Sequence, residues 1–91
     1  MDKKNLPQPT DPRLKFIDKY NMSAQEIETA VLLLQGFDNK KIADSLFISI
    51  STVKFHVRNI LRKLGVNNRS AVISEFAVYS LKNGLSNNPQ S

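Results

Sequence analysis

Residues 39–65 read "NKKIADSLFISISTVKFHVRNILRKLG". Two stretches with apolar residues at helical spacing are separated only by the turn "FIS". Asp38 is placed to cap a helix over about 39–46, in which Ile42, Ala43 and Leu46 share one face. Ser49 is placed to cap a helix over about 50–64, and Gly65 closes it with a left-handed residue. So short a turn forbids antiparallel packing, and the helices must cross at a wide angle with the small Ala43 where their backbones approach. This is a helix-turn-helix pattern. Its expected shared core is Ile42, Leu46, Ile48, Val53, Val57, Ile60, Leu61 and Leu64.

The longer helix has two unlike faces. At about 100° per residue, with Val57 as zero, Ile50, Val53, Ile60, Leu61 and Leu64 fall within about 60° of it. Ser51, Phe55, Arg58, Asn59 and Arg62 fall about 100° or more away, and Lys54 flanks the boundary. The outward face carries no acid, and it places the large aromatic Phe55 among Lys54, Arg58 and Arg62. Such a face suits the major groove of B-DNA. The periodicity alone also fits a packed helix in any small bundle, so charge has to weigh between the two.

The net charge of +5 is concentrated. Residues 1–38 sum to −1, from five basic and six acidic side chains. Residues 39–69 sum to +6, from Lys40, Lys41, Lys54, Arg58, Arg62, Lys63 and Arg69 against Asp44 alone. Residues 70–91 sum to zero, with Glu75 against Lys82. A basic surface confined to the helix pair attracts polyanions, although it also fits an ordinary solvated face.

The rest of the chain extends the helical pattern. In "MSAQEI", residues 22–27, Ser23 and Glu26 form a capping-box pattern, and Met22 and Ile27 are spaced for a hydrophobic staple. They start a helix over about 23–35, stopped by Gly36. Upstream, Asp11 and Pro12 open a short helix over about 12–20. Pro7, Pro9 and polar neighbours before it read as a mobile tail. Downstream, Asn67 or Asn68 caps a helix over about 69–82, and "SNNPQS" reads as disordered. No strand alternation, repeat or Gly-rich phosphate loop occurs. The expectation is an all-α, four-helix helix-turn-helix domain over residues 22–84. Residues 1–21 precede it as a tail and short helix, and residues 85–91 follow as a tail.

Composition narrows the chemistry. Ninety-one residues suit one small domain. The absence of cysteine removes disulfides and thiolate metal sites, and a single histidine, His56, disfavours a zinc site. No metal or cofactor is expected. No apolar run reaches the length of a membrane span, and "MDKKNLPQPTDP" lacks a signal-peptide core, so the cytoplasm is the expected compartment. Neither paired carboxylates nor a nucleophile–base constellation stands out, and no enzyme activity is expected.

The stretch "MSAQEIETAVLLLQGFDNKKIADSLFISISTVKFHVRNILRKLGVNNRSAV" resembles the C-terminal DNA-binding domain of LuxR/FixJ-type bacterial transcription regulators, the GerE-like domain. The likeness runs without a gap over about residues 22–81. It rests on Glu26, Glu28, Leu32, Leu33, Gly36, Asn39, Lys40, Ile42, Ala43, Leu46, Ile48, Ser49, Thr52, Val53, Lys54, His56, Asn59, Ile60, Lys63, Leu64, Gly65, Val66, Asn68 and Arg69. It implies four helices, of which the third reads DNA and the fourth pairs two copies. Lys54, Phe55 and Arg58 would then face bases, Phe55 as an apolar probe for a thymine methyl. Ser49, Ser51, Thr52 and Arg62 would contact phosphates or the groove edge. His56 would support the helix and touch a phosphate. Glu26 and Arg69 would form a structural ion pair.

In the last helix, Val72, Phe76 and Tyr79 are candidates for a two-fold interface matching a palindromic site, with burial inside one domain as the alternative.

The chain departs from the family at Gln25, usually Arg, and Lys41, usually Glu. It also places an apolar stripe of Ile27, Val31 and Leu34 where relatives tend to be polar or small. Leu14, Phe16, Ile17 and Tyr20 of the N-terminal segment are expected to cover this stripe; a homodimer or partner contact is the rival.

The expected function is sequence-specific binding of double-stranded DNA as a transcription regulator, as a homodimer, with RNA polymerase as a further possible partner. The alternative is a single-domain modulator that binds a larger LuxR-type regulator or RNA polymerase. Either a stand-alone regulator or a fragment fits this length, the initial Met favouring the former.

Overall fold

The structure, a computed structural model, describes residues 10–83. The expected tails, residues 1–9 and everything from residue 84 onward, lie outside the described residues. Helix α1 spans Pro12–Ile17 and continues as one 3-10 turn, Asp18–Tyr20. Then follow α2 (Ala24–Leu34), α3 (Asn39–Leu46), α4 (Ile50–Leu64) and α5 (Arg69–Lys82). Among the described residues there is no strand, and the expected all-α fold holds.

Local chemistry sets each helix start. The Asp11 carboxylate accepts from the Arg13 N–H at 2.9 Å, with Pro12 in the first turn of α1. Both halves of the capping box form: Ser23 Oγ accepts from Glu26 N at 3.2 Å, and Glu26 Oε1 from Ser23 N at 3.0 Å. Asp38 caps α3, Ser49 caps α4, and Asn68 rather than Asn67 caps α5. Gly36 and Gly65 take left-handed conformations, at φ 90° and 72°, past the ends of α2 and α4.

The core has two parts. In one, Leu32 and Leu33 of α2 pack with Ile42 and Ala43 of α3, Val53 and Val57 of α4, and Val72 of α5. In the other, Phe16 and Ile17 of α1 pack against Ala30 and Val31 of α2 and Ile60 of α4. Leu34 and Leu64 border both. The apolar stripe on α2 is therefore covered by the N-terminal segment: Val31 is buried, and Ile27 and Leu34 are half-buried alongside Leu14 and Tyr20. The Phe16 ring lies 5.9, 5.4 and 5.4 Å from the rings of Tyr20, Phe76 and Tyr79.

That packing corrects the expected dimer residues. Val72 is fully buried, and Phe76 and Tyr79 are half-buried against Phe16. At about 100° per residue the three share one arc of about 60°, which is the arc facing the core. The outward apolar residues of α5 are instead Ile73, Val78 and Leu81. Ile50, expected on the inner face of α4, is 43 % exposed because it is the first residue of that helix.

Candidate nucleic-acid interface

Helix α4 lies between α2 and α3, and this fixes which of its sides is wet. Val53, His56, Val57 and Ile60 are buried. The buried arc is wider than apolar spacing implies, because α2, α3 and α5 all pack on α4.

His56 is the residue this moves. Expected near phosphates, it is only 8 % exposed, and its Nε2 donates to Gln25 Oε1 at 3.0 Å. Its Nδ1 is also buried and meets no protein partner. His56 thus ties α4 to the first turn of α2. Gln25, noted as a departure from the family, supplies the acceptor.

The expected Glu26–Arg69 ion pair does not form. Lys63 Nζ lies 2.6 Å from Glu26 Oε1 and also donates to the Asn21 carbonyl at 3.1 Å. Arg69 donates to Asn39 Oδ1 at 2.7 Å and to the Phe37 carbonyl at 2.8 Å. The reason is placement along the helices: the last turn of α4 meets the start of α2, whereas the first turn of α5 meets the α2–α3 turn. Burial pushes the Glu26 carboxyl up, but the hydrogen bonds from Lys63 and the Ser23 N–H outweigh it and hold the group below the usual carboxylate range.

With its inner side so fixed, α4 offers Ser51, Lys54, Phe55, Arg58 and Arg62 to solvent, Phe55 being 53 % exposed. Thr52 and Asn59 are half-buried beside them. Ser49 Oγ accepts from Thr52 N at 3.0 Å and lies 2.9 Å from Thr52 Oγ1, so both hydroxyls are held at the N-terminal end of α4. No acid occurs between Ser45 and Ser74. The surface is a rigid helix face of three cations, small hydroxyls and one aromatic ring. It can meet phosphates electrostatically and base edges by hydrogen bonds and apolar contact.

Sequence spacing did not reveal the roles of Gln25 and Lys63, because each depends on a partner 31 or 37 residues away in the chain. Among the described residues no helix is long and apolar enough to cross a membrane, and no cluster of His, Cys, Asp or Glu could hold a metal ion.

The family described as "Bacterial regulatory proteins, luxR family" matches residues 20–76. The chain is 42 % identical over 67 residues to the transcriptional regulatory protein LiaR of Bacillus subtilis, covering 74 % of this chain and 30 % of LiaR. It is 41 % identical over 63 residues to the transcriptional regulatory protein DegU of Brevibacillus brevis, covering 69 % and 25 %. With the oxygen regulatory protein NreC of Staphylococcus aureus it shares 36 % identity over 64 residues, covering 70 % and 28 %. The matched segment thus spans less than a third of each of these relatives. No solved structure gives a significant match.

Proposed function

The chain belongs to the luxR family of bacterial regulatory proteins, and from that membership we propose that it binds double-stranded DNA sequence-specifically as a transcription regulator in the cytoplasm, with α4 in the major groove. The observation that carries this reading is the acid-free outer face of α4, held rigid from behind by α2 and α3. Lys54, Phe55 and Arg58 read bases, Phe55 by packing on a thymine methyl. Ser49, Ser51, Thr52 and Arg62 hold phosphates and the groove edge, and supply much of the affinity and its salt dependence.

Two copies pair through α5, which matches a palindromic site with half-sites about one helical turn apart. The face for this is the outward one. Ser70, Ile73, Ser74, Ala77, Val78 and Leu81 are all exposed, and none is charged.

Selection of bound sequences from a random duplex pool tests the whole reading. Recovery of a palindrome supports DNA reading and pairing together. Absence of any enriched motif moves the weight to a modulator of a larger regulator or of RNA polymerase.

Two substitutions separate the roles on α4. Arg58→Ala is expected to cost about 1–3 kcal/mol of specific binding and to relax one base preference, as for a bidentate contact to guanine. Measured by titration on specific and random duplexes, equal losses on both would assign Arg58 to phosphate alone. Phe55→Ala is expected to leave the melting temperature within a few degrees while weakening the selected site, because the ring is 53 % exposed and outside both core clusters. Replacing the contacted thymine with uracil should weaken wild type and leave Phe55→Ala unaffected.

A further inference from the structure

Phe47 is the side chain that folding accounts for least. It is the C-cap of α3, in the left-handed region at φ 58°, ψ 44°, with its N–H bonded to the Ala43 carbonyl. Glycine or asparagine ordinarily takes such a position, because a Cβ crowds the following carbonyl. Past the ends of α2 and α4 the positive-φ residue is indeed glycine, Gly36 and Gly65. Residues held in such a conformation cluster at functional sites, and Phe47 is 76 % exposed, more than any other large apolar residue described.

Its surroundings indicate what the ring meets. Ile48 turns inward and packs on the core. Ser49, Ile50 and Ser51 follow on the surface, Ile50 being 43 % exposed. Phe47 and Ile50 are thus exposed apolar positions on either side of Ser49, the N-cap of α4, in the chain, at the end that leads into the groove in the reading above. The acid-free stretch from Ser45 to Ser74 includes them. An apolar pair continuous with a basic, hydroxyl-lined face suits the C–H surface of deoxyribose, which lies between phosphates and base edges.

We propose that Phe47, flanked by Ile50, extends the DNA interface by packing on the deoxyribose rim of the major groove, next to the phosphates that Ser49 and Ser51 reach. This rests on the DNA-binding reading and adds a contact made from the turn rather than from α4. The contact is apolar and displaces no counterion, so it sets how deeply α4 sits without adding to the salt dependence.

The test is Phe47→Asn, with Phe47→Gly beside it, since both residues suit the left-handed backbone. Affinity for a duplex recovered by selection is measured across a series of salt concentrations, and thermal unfolding is recorded for each variant. The expected result is a loss of about tenfold in affinity for both variants, an unchanged salt slope and a melting temperature equal to or above that of wild type. Unchanged affinity would overturn the proposal and make the exposed ring a contact for a protein partner. A shallower salt slope would overturn it in favour of an effect through phosphates, and a melting temperature lower by several degrees would make Phe47 structural. If the wild-type chain bound no duplex at all, the DNA reading would fail first, and this contact with it.

Discussion

Phe16→Ala is expected to lower the stability of the domain by about 3–5 kcal/mol, the usual cost of truncating a buried phenylalanine. Phe16 is 2 % exposed, shares one core cluster with Val31 of α2 and Ile60 of α4, and meets the rings of Phe76 and Tyr79 of α5. Truncation would open a void where those elements meet, and the aromatic contacts would be lost with it. A small domain has only about 5–15 kcal/mol of stability, and each kcal/mol moves the melting temperature by about 4–8 °C. A fall of about 15 °C or more in thermal unfolding followed by circular dichroism is therefore the expected outcome. A shift below about 3 °C would mean that α1 is not part of the cooperative unit. Deleting residues 1–20 should act in the same direction and further, since it also removes Ile17, which is as buried as Phe16.

The size of that effect explains a feature of the sequence. The family match begins at residue 20, so α1 lies outside it. Yet α1 supplies Phe16 and Ile17, two of the five buried residues of the second core cluster, and α2 carries Ile27, Val31 and Leu34 to receive them. The stripe and its cover are one packing unit, written in two places. Removing either leaves the other wet, at up to about 1.5–3 kcal/mol per large side chain.

Local chemistry made much of this legible. Caps and stops depend on a residue and its neighbours within four positions, so Asp38, Ser23, Ser49 and Gly65 marked the helix ends. The stripe on α2 was legible because three large apolar residues on one face require a cover. The choice of sides on α4 was only partly so. Period gives the direction of the apolar face but not the width of the buried arc, which depends on how many helices flank it; the burial of His56 is the result. The same holds for α5, where apolar residues occur all round the helix and period cannot say which arc faces inward. Ion-pair partners were the least legible. Glu26, Lys63 and Arg69 could pair in more than one way, and only the approach of the end of α4 to the start of α2 decides it.

Lys63→Met tests that decision. The variant keeps a long apolar side chain and removes the ammonium. Glu26, with its side chain 8 % exposed, would keep only the Ser23 N–H as a partner. Breaking a buried pair costs about 3–5 kcal/mol, but Lys63 is 29 % exposed, so water can reach the site and about 2–3 kcal/mol is expected. The pH dependence carries a sign that a packing defect would not. The Glu26 carboxyl is held below its ordinary range in the folded wild type, so its stabilising contribution is present at neutral pH and is lost as pH falls through the folded value. Without Lys63, burial dominates and the carboxyl titrates higher. Acid then neutralises Glu26 in the variant before it does so in wild type, and removes the penalty. The gap in melting temperature between the two should therefore be widest near pH 7 and narrow below about pH 4. Adding Glu26→Gln to Lys63→Met should recover part of the loss at pH 7, because the amide oxygen still caps the Ser23 N–H and no buried charge remains. A gap that stayed constant with pH, or a double variant no better than the single one, would show that the loss does not come from an unpaired Glu26 charge. Duplex affinity of the folded protein should barely change in either variant, because the pair lies behind α4, away from Lys54, Phe55 and Arg58.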